Sequence, residues 1–133
     1  MIKKVHHVAV VVNNLDEALE IYERLFGVKA GKIETVPEQG VRAALLPMAE
    51  GGEIELLEPI DPQSGVAKFL EKRGEGIHHI CLEVDNIDEE LKSLNEKGVT
   101  LIDKQPRNGL AGRIAFLHPK SVKGALIELA QEV

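Results

Sequence analysis

The sequence predicts an α+β protein made of two tandem βαβββ modules, and three observations carry that prediction. The first is duplication. Val5-His6-His7-Val8-Ala9-Val10-Val11-Val12-Asn13-Asn14-Leu15-Asp16-Glu17 is echoed by Ile77-His78-His79-Ile80-Cys81-Leu82-Glu83-Val84-Asp85-Asn86-Ile87-Asp88-Glu89, so that His79 stands 72 positions after His7 and Asp88 72 after Asp16. Arg42-Ala43-Ala44-Leu45-Leu46 returns as Arg113-Ile114-Ala115-Phe116-Leu117, and Ile54-Glu55-Leu56 as Ile127-Glu128-Leu129, 73 positions later. The second is periodicity: each copy opens on an apolar β-branched run, passes through one stretch of helical spacing, and ends in short strand-like runs. The third is the ratio of elements. One helix serves several strands, which is not a doubly wound parallel pattern, and the short turns favour antiparallel pairing. We expect one domain over residues 1–133, with module 1 at about 1–60, a connector at about 61–75 and module 2 at about 76–133.

Each element follows from its local pattern. Lys4 to Val12 reads as a largely buried strand. Asn13 or Asn14 caps the next helix, in which Leu15, Leu19, Tyr22 and Leu25-Phe26 recur at helical spacing until Gly27 stops it. Val28 to Glu38 and Gly40 to Pro47 are two strands, Glu50-Gly51-Gly52 is a turn, and Glu53 to Glu58 is a strand closed by Pro59. Asp61-Pro62-Gln63-Ser64-Gly65 leads into a short amphipathic helix, Val66 to Lys72. The second half repeats the order: a strand at Ile77 to Val84, a helix at Ile87 to Lys97 and a strand at Val99 to Asp103. A polar loop, Lys104 to Ala111, then precedes strands at Gly112 to Leu117 and Gly124 to Ala130.

Composition excludes several function classes. Apolar content of 44% and charged content of 29% are those of a globular domain, and 133 residues can bury a real core. A net charge of −6 argues against a nucleic-acid or anionic-membrane partner. One Tyr, three Phe and no Trp leave little for stacking-based recognition of RNA or sugars. Val8 to Val12 is too short to span a bilayer and reads as no secretory segment, so no membrane association is expected. The sole cysteine, Cys81, allows no intrachain disulfide; it is expected to be a buried core residue of a cytoplasmic protein.

The repeated residues include metal-ligand types. Alternate residues of a strand share a face, so His7 points with Ala9 and Val11, and His79 with Cys81 and Glu83. Glu55 and Glu128 each sit inside an apolar Ile-Glu-Leu segment, where a carboxylate is costly to bury unless a cation meets it. Two imidazoles and two carboxylates suit a borderline divalent ion such as Zn²⁺, Co²⁺, Mn²⁺, Ni²⁺ or Fe²⁺. A metal site between the modules, made by His7, Glu55, His79 and Glu128, is therefore expected. The metal-free reading needs Arg42 and Arg113 as the compensating cations. His6 and His78 are expected to face outward or hold a backbone carbonyl, His118 to be a turn residue, and Glu58 to be solvated. Asp16-Glu17 and Asp88-Glu89 suit first helical turns, where the helix dipole favours acids.

The strand-start His-His-hydrophobic and strand-end Ile-Glu-Leu segments of both halves resemble the vicinal oxygen chelate (glyoxalase/bleomycin-resistance/dioxygenase) superfamily over the whole chain. Pro37-Glu38-Gln39-Gly40-Val41, Ile54-Glu55-Leu56-Leu57-Glu58-Pro59, Val66-Ala67-Lys68-Phe69-Leu70, Gly74-Glu75-Gly76-Ile77-His78-His79-Ile80 and Phe116-Leu117-His118-Pro119-Lys120-Ser121 resemble the methylmalonyl-CoA epimerase family within it. That resemblance implies interconversion of (2R)- and (2S)-methylmalonyl-CoA through a metal-stabilised enolate, with a divalent metal, often cobalt. It implies His7, His79 and Glu128 as metal ligands, with Glu55 at a position where members place a Gln or Glu near or on the metal. Glu128 is the implied catalytic acid/base, and a homodimer acting on an acyl-CoA is implied as well. Some bacterial members carry a second Glu where this chain has Ala43, which leaves Glu38, Glu55, a metal-bound water or a turning enediolate for the second proton. Lys120, Lys123, Arg107 and Arg113 are candidates for the CoA phosphates by charge. The rivals on the same fold are a glyoxalase-type glutathione-thiohemiacetal isomerase, a metal-free ligand-sequestering protein and an extradiol-type dioxygenase.

Overall fold

The computed structural model describes residues 1–132. In chain order the elements are β1 (Ile2–Val11), α1 (Leu15–Phe26), β2 (Lys32–Val36), β3 (Val41–Pro47), β4 (Glu53–Pro59), α2 (Gly65–Arg73), β5 (Gly76–Val84), α3 (Ile87–Glu96), β6 (Arg107–Gly109), β7 (Gly112–Leu117) and β8 (Ile127–Gln131). Short 3-10 turns at Pro37–Gln39 and Pro119–Val122 complete them. Each helix starts on a side-chain cap, the first of which is anticipated from the sequence. Asn14, Ser64 and Asn86 each accept a hydrogen bond from the amide three residues on, at 2.9 to 3.1 Å. Gly27 ends α1 in the left-handed region at φ 69°. Gly40 is required where it stands: its φ is +66°, and a Cβ there would lie 2.7 Å from that of Asp61.

The chain forms two compact units. One is His7–His78; the other joins Met1–His6 to the residues from His79 onward. In the first the strand order is β2-β3-β4-β1, with β3 antiparallel to β2 and β4, and β1 parallel to β4 in the register Ala9↔Glu55. Helix α1 covers this sheet, burying Leu15 and Ala18 against Val12, Ala44, Leu46 and Leu56. In the second the order is β5-β8-β7-β6, with β5 parallel to β8 in the register Cys81↔Glu128, and β7 antiparallel to β8 and β6. Helix α3 contributes Ile87 and Leu91 to a core with Val84, Ala115, Leu117 and Leu129.

The antiparallel pairing expected of the strands after each helix is observed, β3 pairing with β2 and β4 and β7 with β6 and β8. In addition, β1 and β5 each meet the last strand of their module in parallel. The intervening helix and hairpin are long enough to act as the crossover that parallel strands require. Two sequence expectations are corrected here. The strand expected at Val99 to Asp103 reduces to a single bridge, Leu101↔Leu117. Its backbone is held irregularly instead: Ile102 and Asp103 both donate to the Phe116 carbonyl, and the Asp103 carboxylate accepts from the Phe116 amide at 2.9 Å. The strand that partners β7 lies further on, at Arg107–Gly109, inside the stretch read as a polar loop.

Candidate metal centre

In each unit a buried histidine meets a buried glutamate. His7 on β1 is 2% exposed and Glu55 on β4 is 6% exposed; His7 Nε2 lies 3.5 Å from Glu55 Oε1. His79 on β5 and Glu128 on β8 are 6% and 5% exposed, with Nε2 2.9 Å from Oε1. The parallel registers explain why the pairs form. Ala9 is the partner of Glu55 and Cys81 the partner of Glu128, and each histidine stands two residues before that partner. Residues two apart in a strand share a face, so histidine and glutamate project to the same side of their sheet. The residues beside them, Ala9 and Cys81, are small and fully buried. The Phe116 ring packs edge-on against the His79 imidazole at 5.4 Å, and the Arg107 guanidinium lies 5.6 Å from the same ring.

The donor set fits a divalent metal. Each pair offers an imidazole nitrogen and a carboxylate oxygen, the mixture that borderline ions prefer. Each glutamate is flanked by apolar neighbours, Ile54 and Leu56 or Ile127 and Leu129, where a carboxylate is costly unless cationic charge accompanies it. The arginines expected to supply that charge in the metal-free reading do not. Arg42 pairs with Asp16 at 3.0 Å and with Glu58 at 3.9 Å, and Arg113 pairs with Asp88 at 3.0 Å. Donating a hydrogen bond to Asp16 raises the Arg42 guanidinium above its ordinary pKa. The duplicated Arg-Asp pairs thus pin the first turns of α1 and α3 rather than neutralise the central carboxylates.

Other expectations sort as follows. His118 is the turn residue anticipated, its Nδ1 accepting from the Lys120 amide at 3.1 Å. His6 does not face outward: it is 4% exposed and its Nε2 lies 2.7 Å from Glu132 Oε1. His78 is half-buried, its ring edge-on to Phe69 at 5.0 Å. Glu58 is not simply solvated, since its Oε2 accepts from the Leu15 amide at 3.1 Å. Gln131 repeats that device for α3, its side-chain oxygen accepting from the Ile87 amide at 2.9 Å. Neither role was visible in the sequence, although Glu58 and Gln131 occupy equivalent repeat positions. Glu38 is exposed on the 3-10 turn before β3, and Ala43 is 1% exposed on β3. Of the candidate phosphate-binding cations, Arg107 is engaged with Asp103 at 3.1 Å and Arg113 with Asp88, whereas Lys120 and Lys123 are exposed around the second 3-10 turn.

Comparison with known proteins shows the family to which the chain belongs. The family model of the glyoxalase/bleomycin resistance protein/dioxygenase superfamily matches residues 6–116. The chain belongs to this superfamily. It is 40% identical to the mitochondrial methylmalonyl-CoA epimerase of Dictyostelium discoideum, over 98% of this chain and 80% of that protein. It is 37% identical to an ethylmalonyl-CoA/methylmalonyl-CoA epimerase of Cereibacter sphaeroides, over 98% of this chain and 99% of the relative. A solved structure of a Streptomyces coelicolor methylmalonyl-CoA epimerase variant, in complex with 2-nitronate-propionyl-CoA, superposes with a TM-score of 0.93 at 36% identity, covering 100% of this chain and 99% of that one. The glyoxalase-like α+β fold is therefore established. Among the described residues no helix is long and apolar enough to cross a membrane.

Proposed function

We propose that this protein is an isomerase that interconverts the 2R and 2S epimers of methylmalonyl-CoA by proton transfer at C2. The observation that carries the reading is the buried His79–Glu128 pair at 2.9 Å, in a chain 40% identical to a named epimerase. His7, Glu55, His79 and Glu128 together hold one divalent ion in this proposal, with cobalt as the metal and zinc, manganese or nickel as alternatives. A bound divalent cation supplies Lewis-acid stabilisation of the charge that develops on the thioester oxygen.

The chain's own groups do the proton work. The C2 hydrogen lies between a thioester carbonyl and a carboxylate, so a positioned carboxylate can remove it and return it. Glu128 is assigned as one such group: it stands on β8, buried, with His79 Nε2 2.9 Å from its Oε1. A 1,1-transfer needs a second group. Glu55 fits better than Glu38, because Glu55 is buried beside His7 while Glu38 is exposed on a turn. The Phe116 ring shields His79 on one side, which limits water around the pair. Lys120 and Lys123 are assigned to the CoA phosphates, since both are exposed cations. A homodimer is the proposed assembly; light scattering at about twice the 14.6 kDa chain mass would support it.

The test is proton NMR of (2R)-methylmalonyl-CoA in D₂O, with the protein stripped of metal and then reloaded with Co²⁺. Metal-dependent loss of the C2 proton signal, with appearance of the 2S epimer, is expected. No exchange with any divalent ion removes the epimerase reading in favour of the glutathione-thiohemiacetal isomerase or a ligand-sequestering protein of the same fold.

A further inference from the structure

A second cluster of ligand-type side chains lies within the unit formed by Met1–His6 and the residues from His79 onward. His6 on β1, Glu83 on β5 and Glu132 just after β8 place one ligand atom each within 4.8 Å of the others. None of the three belongs to the His–Glu pairs described above. His6 and Glu83 are 4% and 6% exposed, while Glu132 is exposed. His6 Nε2 lies 2.7 Å from Glu132 Oε1. The decisive feature is Glu83: its Oε1 is buried and has no hydrogen-bond partner among the described residues. Its Oε2 is met by Lys3 Nζ at 3.3 Å, and the Lys3 side chain is 54% exposed. A buried carboxylate oxygen without a partner is costly, and native structures rarely leave one so.

We propose that His6, Glu83 and Glu132 form a second divalent-cation site. One imidazole and two carboxylates select a borderline ion such as Zn²⁺ or Co²⁺ over Ca²⁺ or Mg²⁺, which prefer all-oxygen shells. The ion satisfies Glu83 Oε1, for which the described residues otherwise supply no hydrogen bond. Glu132 stands at the solvent edge and can adjust to the ion, and the exposed Lys3 ammonium is the counter-ion that the metal displaces. This site stands whether or not the four residues of the proposed reaction hold a metal.

The experiment is equilibrium dialysis of the full chain against Zn²⁺, with bound metal measured by elemental analysis. His79→Ala, which removes a ligand of the other proposed site, is the background for the variants. In that background one Zn²⁺ per chain is expected to remain. Adding Glu132→Gln, at an exposed position that leaves folding intact, is expected to weaken the remaining ion by about tenfold or more, since even outer-shell losses at metal sites reach that size. Adding Glu83→Gln is expected to abolish it. Adding Lys3→Met is expected to tighten it, the opposite of what losing a purely structural ion pair does to the cluster. Absence of Zn²⁺ from the His79→Ala protein, or its retention at unchanged affinity after Glu132→Gln and Glu83→Gln, overturns the proposal. Wild-type protein that binds one Zn²⁺ per chain, lost on Glu83→Gln but kept in His79→Ala, supports this site while removing the metal from the other.

Discussion

At the scale of single residues, the glutamates are distinguished by what surrounds them. Glu128 is held at 2.9 Å from His79 and flanked by Ile127 and Leu129, so removing its charge alone is the cleanest probe of its role. Glu128→Gln keeps the shape and one acceptor oxygen. It is expected to retain part of the metal while C2 exchange falls by about two orders of magnitude or more, the usual contribution of a positioned acid/base. The NMR exchange assay reads this directly, and unchanged exchange removes Glu128 from the acid/base role. His7→Ala and His79→Ala are expected to lose the ion proposed at the His–Glu pairs together with activity; full activity in the double variant would sink the mechanism. Repetition made both histidines and both glutamates legible in the sequence, because a residue type that recurs 72 or 73 positions later invites a shared role. His6 was not legible. Its Nε2 lies 2.7 Å from Glu132, 126 residues away in the chain, and no local pattern announces so distant a partner.

At the scale of elements, two helices begin on the same device. The first free amide of α1 is accepted by Glu58 at the end of β4, and that of α3 by Gln131 at the end of β8. The first amides of a helix have no partner within it, so a side chain from a neighbouring strand both satisfies one and ties helix to sheet. Removing the acceptor leaves a buried amide unsatisfied. Glu58→Ala and Gln131→Ala are each expected to cost about 1 kcal/mol in chemical denaturation. Glu58→Gln, which keeps the acceptor oxygen, is expected to cost less, and an equal loss in both would mean that the hydrogen bond contributes nothing. The exposed Asp16–Arg42 and Asp88–Arg113 pairs contrast with this: Asp16→Ala should cost at most about 1 kcal/mol. The limits of α1 were legible from Asn14 and Gly27, whose chemistry is local. Ser64 and Asn86 cap α2 and α3 in the same way, a role not assigned to them from the sequence. The strand at Arg107–Gly109 was not, because Lys104 to Ala111 carries no alternation and its pairing is decided by where β7 runs. Parallel pairing of β1 with β4 was hidden for the same reason, since it depends on the path taken by α1 and the β2–β3 hairpin.

At the scale of the whole molecule, the duplication sets how metal and stability are coupled. One His–Glu pair belongs to the unit His7–His78 and the other to the unit that continues from His79. In the proposed function one ion takes ligands from both pairs, so it would be bound only when both units are folded, and its binding free energy would add to the stability of the whole chain. At a free Co²⁺ concentration about 1,000 times its Kd, that linkage is worth about 4 kcal/mol. For a chain of this length it corresponds to a rise in melting temperature of roughly 10 to 20 °C. Scanning calorimetry of stripped and Co²⁺-loaded protein is expected to show that rise as a single sharpened transition. Charge alone predicts the sign: a buried carboxylate without a cation destabilises the stripped protein, whereas the proposed ion would convert the same carboxylate into a ligand. Glu55→Gln and Glu128→Gln each remove one of those charges. They are therefore expected to raise the melting temperature of the stripped protein while lowering that of the loaded one. A substitution that merely damages packing lowers both. Opposite signs at both glutamates would assign the two carboxylates to a single ion, whereas a loss in both forms would mean that Glu55 and Glu128 act only as structural partners of their own histidines.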